Sequence, residues 1–400
     1  MAKTTTTLSG IPLDLVSPIY DKAYDAATGF TAHTAILHVS GNGDNSDGET
    51  WETAYNDPKT ALDAASTDAN ECTLILIAPK ATAYNIATTG DPTWSGNYDI
   101  RSSHRIWAAI TNSGTGTPTS VMNFTGKASI TDLAIFTAGS VNGVSFTADG
   151  WRVRRCGFNS TGLGGAATSL HIDGDGGQTK GGILDDCEFL GNATYTTAIH
   201  IENSTINQIN DANVHDCLVG MLFDGTAPDL NRIHNLDIGD CALGLDINTG
   251  AEQHFDGVSF HHNTRNVDDE VGSHSWRNIA GNFPITTVPD DVVGTTVTAG
   301  AGAAWSAGEQ EIIAAGDNPF RIVGSTLDPV AAERYRVRLK DGTTYFDDLT
   351  AEGGNPAAKV AAQAPSGTEF IFNKGTAITA SAKSASGSNE VKVSLQIQII

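Results

Sequence analysis

Cysteine is sparse in this 400-residue chain: Cys72, Cys156, Cys187, Cys217 and Cys241 are scattered and never form a CxxC pair. That odd set supports neither a disulfide framework nor a zinc site, and suits small apolar fillers in a protein made in a reducing cytoplasm. Nowhere do about 18 apolar residues run together, so no membrane insertion is expected. The opening MAKTTTTLSG lacks the apolar stretch of a signal peptide. Basic residues are few as well. Lys+Arg number 23 against 46 Asp+Glu, a formal net charge of −23, which repels phosphate backbones and makes nucleic acid an unfavourable partner. Motifs for nucleophiles, nucleotides and metals are also missing. There is no G-x-S-x-G, and GDGGQTKGG (174–182) lacks the P-loop spacing and its following Ser/Thr. GNGDNSDGETWE (41–52) places Asp47 where a calcium loop needs its sharp-turn Gly. No cofactor and no metal are expected.

What the chain does have is a repeat. Five segments fit apolar-x-x-apolar-x-apolar: VRRCGF (153–158), LDDCEF (184–189), VHDCLV (214–219), IHNLDI (233–238) and FDGVSF (255–260). Their central positions, Cys156, Cys187, Cys217, Leu236 and Val258, follow at steps of 31, 30, 19 and 22 residues. The pair between the first two apolar positions is always polar or Gly. A second strand follows in LHID (170–173), IHIE (199–202), MLFD (221–224) and LDIN (245–248), with its first and third residues apolar. Such alternation marks a half-buried strand. A period of short strands without amphipathic runs of helical length marks a solenoid. The expected fold is therefore all-β: a right-handed parallel β-helix, with cysteine and phenylalanine columns inside. Alternating strands between 309 and 400, ending in VKVSLQIQI, predict a C-terminal antiparallel β-sandwich.

HVSGNGDNSDGETWETAYNDPKTALDAA (38–65) resembles the start of pectate-lyase-like β-helices, phage tailspikes especially, through Gly43, Asp44, Gly48, Trp51, Thr53, Ala54, Ala61, Leu62, Ala64 and Ala65. Residues 364–400 resemble the terminal sandwich of phage fibre proteins. The resemblance implies residues 1–35 as a virion-attachment arm and 36–282 as capping segment and β-helix. Residues 283–308 then read as a linker and 309–400 as the sandwich. It also implies a homotrimer on the virion surface, on tail or capsid, that contacts other virion proteins through the arm.

Three functions stay open on this reading: a tailspike or fibre binding host surface polysaccharide, a capsid decoration or head-fibre protein without catalysis, and a polysaccharide depolymerase. Asp173, Glu202 and Asp224 end successive second strands, so stacking would set their carboxylates about 5 Å apart. That spacing suits the acid and nucleophile of a retaining glycosidase. His171 and His200 lie beside them as candidates to bind glycan, to shuttle protons or to ligate a metal with Asp246. The same identities also follow simply from rebuilding one strand in each coil. Trp94, in GDPTWSGNYD, reads as a loop-borne sugar platform, whereas Trp107 and Trp151 read as buried. Asp185, Asp186 and Glu188 beside Arg154 and Arg155 read as cross-strand ion pairing. HHN (261–263) with His254 matches no common ligand spacing.

Overall fold

The computed structural model describes residues 7–8, 11–12, 33–86, 92–104, 107–112, 120–174, 179–226, 228–281, 283, 285–288, 295–300, 304–306, 308–316, 318–331, 333–352, 360–362, 370–386 and 389–400. Most of residues 1–35, expected to form an attachment arm, lie outside them. From Ala35 to Gly281 every strand pairing between successive coils is parallel. Three faces result. The first stacks ten strands from Ala35–Val39 to Ser275–Arg277, and the second runs from Tyr84–Asn85 to Ala280–Gly281. The third stacks eight strands from Thr93–Trp94 to Arg265–Asp269. The chain is thus a parallel β-helix followed by antiparallel sheets.

Strand alternation sends every second side chain inward. On the third face the inward columns are Met122, Val144, Leu170, Ile199, Met221, Leu245 and Val267, beside Phe124, Phe146, Ile172, Ile201, Phe223 and Ile247. All are buried. Aromatic rings stack coil on coil within the same core: Phe158 lies 4.6 Å from Phe189, and Phe255 lies 4.3 Å from Trp276.

One coil of the predicted register is wrong. The strand opposite Ile183–Leu190 is Gln208–His215, so Ala212, not Cys217, follows Cys187 inward and leads to Leu236. The shift keeps Ile209 and Val214 inside, whereas the cysteine alignment would have placed Val214 at the head of the segment. Cys217 is still buried, one corner further along, above Cys241.

The polar pair in the repeat has a backbone cause. Between the first and second faces each coil turns through a single left-handed residue: Asp132, Arg155, Asp186, Asp211, Asn235, Gly257 and Asn278, with φ between 47° and 73°. Asn, Asp and Gly tolerate that conformation best, and Arg155 is the departure.

Within the capping segment, Pro58–Ala64 forms a short helix. Asp57 caps it by accepting from the Thr60 amide at 2.8 Å, and Leu62 and Ala61 are buried against the first strands. At the other end two antiparallel sheets, of six and four strands, share a separate core around Tyr335, Val337 and Leu395. The segment expected to be a linker contributes to them: Ile285–Val288 and Thr295–Thr298 both pair with Glu390–Ile399. Its threonines concealed the strands. The sandwich seats on the last coil through Asn373, whose Oδ1 accepts from the Trp276 indole and the His274 amide. Arg321 adds a 2.7 Å bond to the Ile279 carbonyl.

Candidate functional site

Two outward surfaces concentrate chemistry. The first is the third face. Its register brings Asp173 opposite Glu202 and Glu202 opposite Asp224, and stacks His171 on His200. The imidazole centroids lie 4.7 Å apart with the ring planes inclined at 15°. His171 Nε2 sits 3.0 Å from Glu202 Oε2, and Asp224 Oδ1 accepts from the Gly225 amide. The histidine column continues through Leu222 to Asp246 and Asp268. His200 Nε2 is buried and has no hydrogen-bond partner among the described residues.

Burial, with the His171 ring second, pushes His200 down to about 4. Burial, followed by the carboxylates of Asp268, Glu270 and Asp224, raises Asp246 to about 6. Sequence reasoning cast Asp246 only as a metal ligand beside His171 and His200, not as a carboxyl that keeps its proton. Its signal, an acid facing another acid one coil on, was readable once the strands were aligned.

These two shifts oppose each other. An unfolded His200 takes up a proton near 6.5 that the folded ring refuses until about 4, so its contribution to stability is lost as pH falls across that window. Folded Asp246 holds its proton to about 6 while the unfolded chain releases it near 3.8, so its contribution is lost as pH rises from there to about 6. Relative to wild type, His200→Gln should gain stability as pH is lowered from 6.5 to 4, and Asp246→Asn should gain as pH is raised from 4 to 6. Urea titrations at four pH values would measure both; parallel curves for variant and wild type would refute the assignment.

The second surface is the corner between the first and second faces. Trp107 occupies that corner one coil before Asp132, since Ala108 pairs with Leu133. The indole lies against the Gly157 backbone, where an added Cβ would come within 2.4 Å of the ring. It remains 42% exposed. With Asp132, Arg155 and Asp186 it lines an open depression of about 390 Å³. Arg155 is held there by two bonds to Asp132, at 2.7 and 2.8 Å. Exposed Phe136 lies farther along the second face.

The tryptophan expectations therefore exchange places. Trp94 is buried, stacked toward Phe124, with its indole N–H donating to Asp63 of the capping helix at 3.0 Å. It is a core residue, not a platform. Trp107 is exposed, as is Trp51, whose ring lies edge-on to His38. Trp151 is buried as expected. Of the acidic crowd, Asp185 pairs with Arg154 at 2.9 Å, while Arg155 turns back to Asp132.

No known family and no curated protein matches the sequence. Among solved structures the chain is similar to the enzymatically active domain of tailspike protein 4 of bacteriophage CBA120: 12% identity, 88% of this chain, 67% of that chain, TM-score 0.28. It is similar to WceF of Pantoea stewartii, a glycan biofilm modifying enzyme with a bacteriophage tailspike-like parallel β-helix fold, at 11% identity. That match covers 85% of this chain and 59% of the other, with a TM-score of 0.32. Tailspike protein 2 of bacteriophage CBA120, again the enzymatically active domain, gives 11% identity, coverages of 85% and 77%, and a TM-score of 0.22. The parallel β-helix of this chain stands on its own strand register.

Proposed function

We propose that this chain is a virion surface protein of a tailed virus that binds host surface polysaccharide, in the manner of a tailspike or fibre. The observation that carries the reading is the Trp107 depression. The Trp107 indole packs against Gly157 yet keeps apolar ring surface open to solvent, as stacking of a pyranose ring requires. Asp132, Arg155 and Asp186 beside it supply acceptors and donors for hydroxyl groups. The ring is held in place before any ligand arrives, so little side-chain freedom is lost on binding.

The test uses purified surface polysaccharides from a panel of bacterial hosts, with binding followed by calorimetry and indole fluorescence. Trp107→Ala should weaken binding at least tenfold, about 1.4 kcal/mol, and Gly157→Ala should weaken it by lifting the ring. A polysaccharide that binds Trp107→Ala as tightly as wild type overturns the reading. The same mixtures, scored for new reducing ends, separate binding from depolymerisation. Release that disappears in Asp173→Asn with Glu202→Gln would give the column Asp173, Glu202 and Asp224 the acid and nucleophile roles. Assembly as a homotrimer, the arm's contact with other virion proteins and a tail location belong to the same proposal.

A further inference from the structure

A second group of histidines comes together where sequence spacing gave no sign of it. His215, Gly239 and His261 occupy one outward position on three successive coils of the second face. Asp237 lies two residues before Gly239, so it shares that outward surface. Because Gly239 has no side chain, the rings on either side lean across it. An added Cβ would lie 1.8 Å from His261 Cε1. The two ring centroids are 5.3 Å apart at 47°, although their strands are two coils apart. His261 Nε2 is 3.3 Å from Asp237 Oδ2. One ligand atom from each of the three residues lies within 4.8 Å of the other two.

We infer that His215, Asp237 and His261 form a binding site for a zinc-class divalent transition metal, with Gly239 as its floor. Bonds of about 2.0–2.1 Å in a tetrahedron put ligand atoms about 3.3 Å apart. The His261–Asp237 pair already meets that distance. His215 has to close by up to about 1.5 Å, from within 4.8 Å to the tetrahedral spacing, which a partly exposed imidazole does by a χ rotation. Two imidazoles and one carboxylate select Zn²⁺, Ni²⁺ or Cu²⁺ over Mg²⁺ and Ca²⁺, which want oxygen alone. Three protein ligands leave a fourth position open to solvent. The acidic chain raises the local concentration of any cation. His171, His200 and Glu202 also bring one ligand atom each within 4.8 Å, but the two rings are stacked at 15° and His200 Nε2 is buried, so that group is less open to an incoming ion. The Asp240–His261–His262 group has the same donor set, but Asp240 and His262 are both exposed.

The experiment is a calorimetric titration of the full chain, stripped with chelator, with Zn²⁺ alone, followed by Co²⁺ absorption to read coordination geometry. One equivalent should bind with micromolar or tighter affinity and give the visible bands of tetrahedral Co²⁺. His215→Gln and His261→Gln should each weaken binding at least tenfold. Gly239→Ala, which keeps every ligand but fills the floor, should weaken it as well. His171→Gln with His200→Gln should leave it unchanged. Thermal melts without metal confirm that each variant is folded; His215→Gln, at a partly exposed position, remains informative if Gly239→Ala is not. Absence of a saturable equivalent, or one that survives His215→Gln and His261→Gln together, overturns the inference. So does a site lost with His171 and His200 instead.

Discussion

Replacing Asn231 by Leu, whose side chain branches at the same carbon, should destabilise the β-helix by about 3 kcal/mol or more. Asn231 belongs to a buried amide ladder at the corner where each coil enters the first face. Asn207, Asn231 and Gln253 are fully buried there, and His274 nearly so. Each side-chain carbonyl accepts from the backbone amide one coil earlier: Asn207 from Gly182, Asn231 from Asn207, Gln253 from Asn231. His274 Nδ1 continues the series to the Gln253 amide at 3.3 Å. Asn231 also accepts from Asn207 Nδ2 and donates to the Pro228 carbonyl at 2.8 Å. Leucine removes these partners and admits no water, leaving the Asn207 amide buried and unpaired, at about 1–3 kcal/mol for each such group. Asn231→Ser, which keeps a small acceptor and leaves room for water, should cost less. Urea denaturation measures both, and a loss below 1 kcal/mol for the leucine variant would show that the ladder is not stabilising.

The ladder marks the limit of what the sequence shows on its own. Inward columns of large apolar residues were legible, because period-2 alternation with Leu, Ile, Met or Phe leaves few registers open. The third face was read in its observed register for that reason, and with it the alignment of Asp173, Glu202 and Asp224. Where an inward position is small, pattern fails. Ala212 does not look like a core residue, and a neighbouring cysteine did. Inward amides fail for the opposite reason: Asn207 and Asn231 look like surface turn residues until one sees that each satisfies the coil before it. Long-range partners were hidden too. Nothing near Trp94 announces that Asp63 will accept its indole proton, and nothing near Trp107 announces that Gly157, far along the chain, leaves a bed for its ring. The His215–Asp237–His261 cluster is of the same kind, since it depends on a glycine between coils.

Gly182→Ala should be among the most damaging single-methyl changes in the β-helix, because the new Cβ would enter a buried indole on the same corner column as the amide ladder. One coil before Asn207, this position faces the Trp151 ring. A Cβ there would lie 1.8 Å from Trp151 Cε2 and 2.1 Å from its Nε1. The ring has no room to retreat. It is fully buried and stacked at 5.5 Å on Phe146, which is itself stacked at 5.6 Å on Phe124. Overpacking of a core usually costs about 1–3 kcal/mol. Here the obstacle is a rigid indole wedged among aromatic neighbours, so about 3 kcal/mol or loss of the soluble fold is expected. The same glycine lets the Gly182 amide reach Asn207 Oδ1 at 3.1 Å, so displacement of this coil also strains the first rung of the ladder. A second substitution separates crowding from backbone strain. Trp151→Leu alone removes stacking and should destabilise, but in that background Gly182→Ala should cost at least 2 kcal/mol less than it does beside tryptophan. Equal costs in the two backgrounds would mean that the indole is not what the glycine serves.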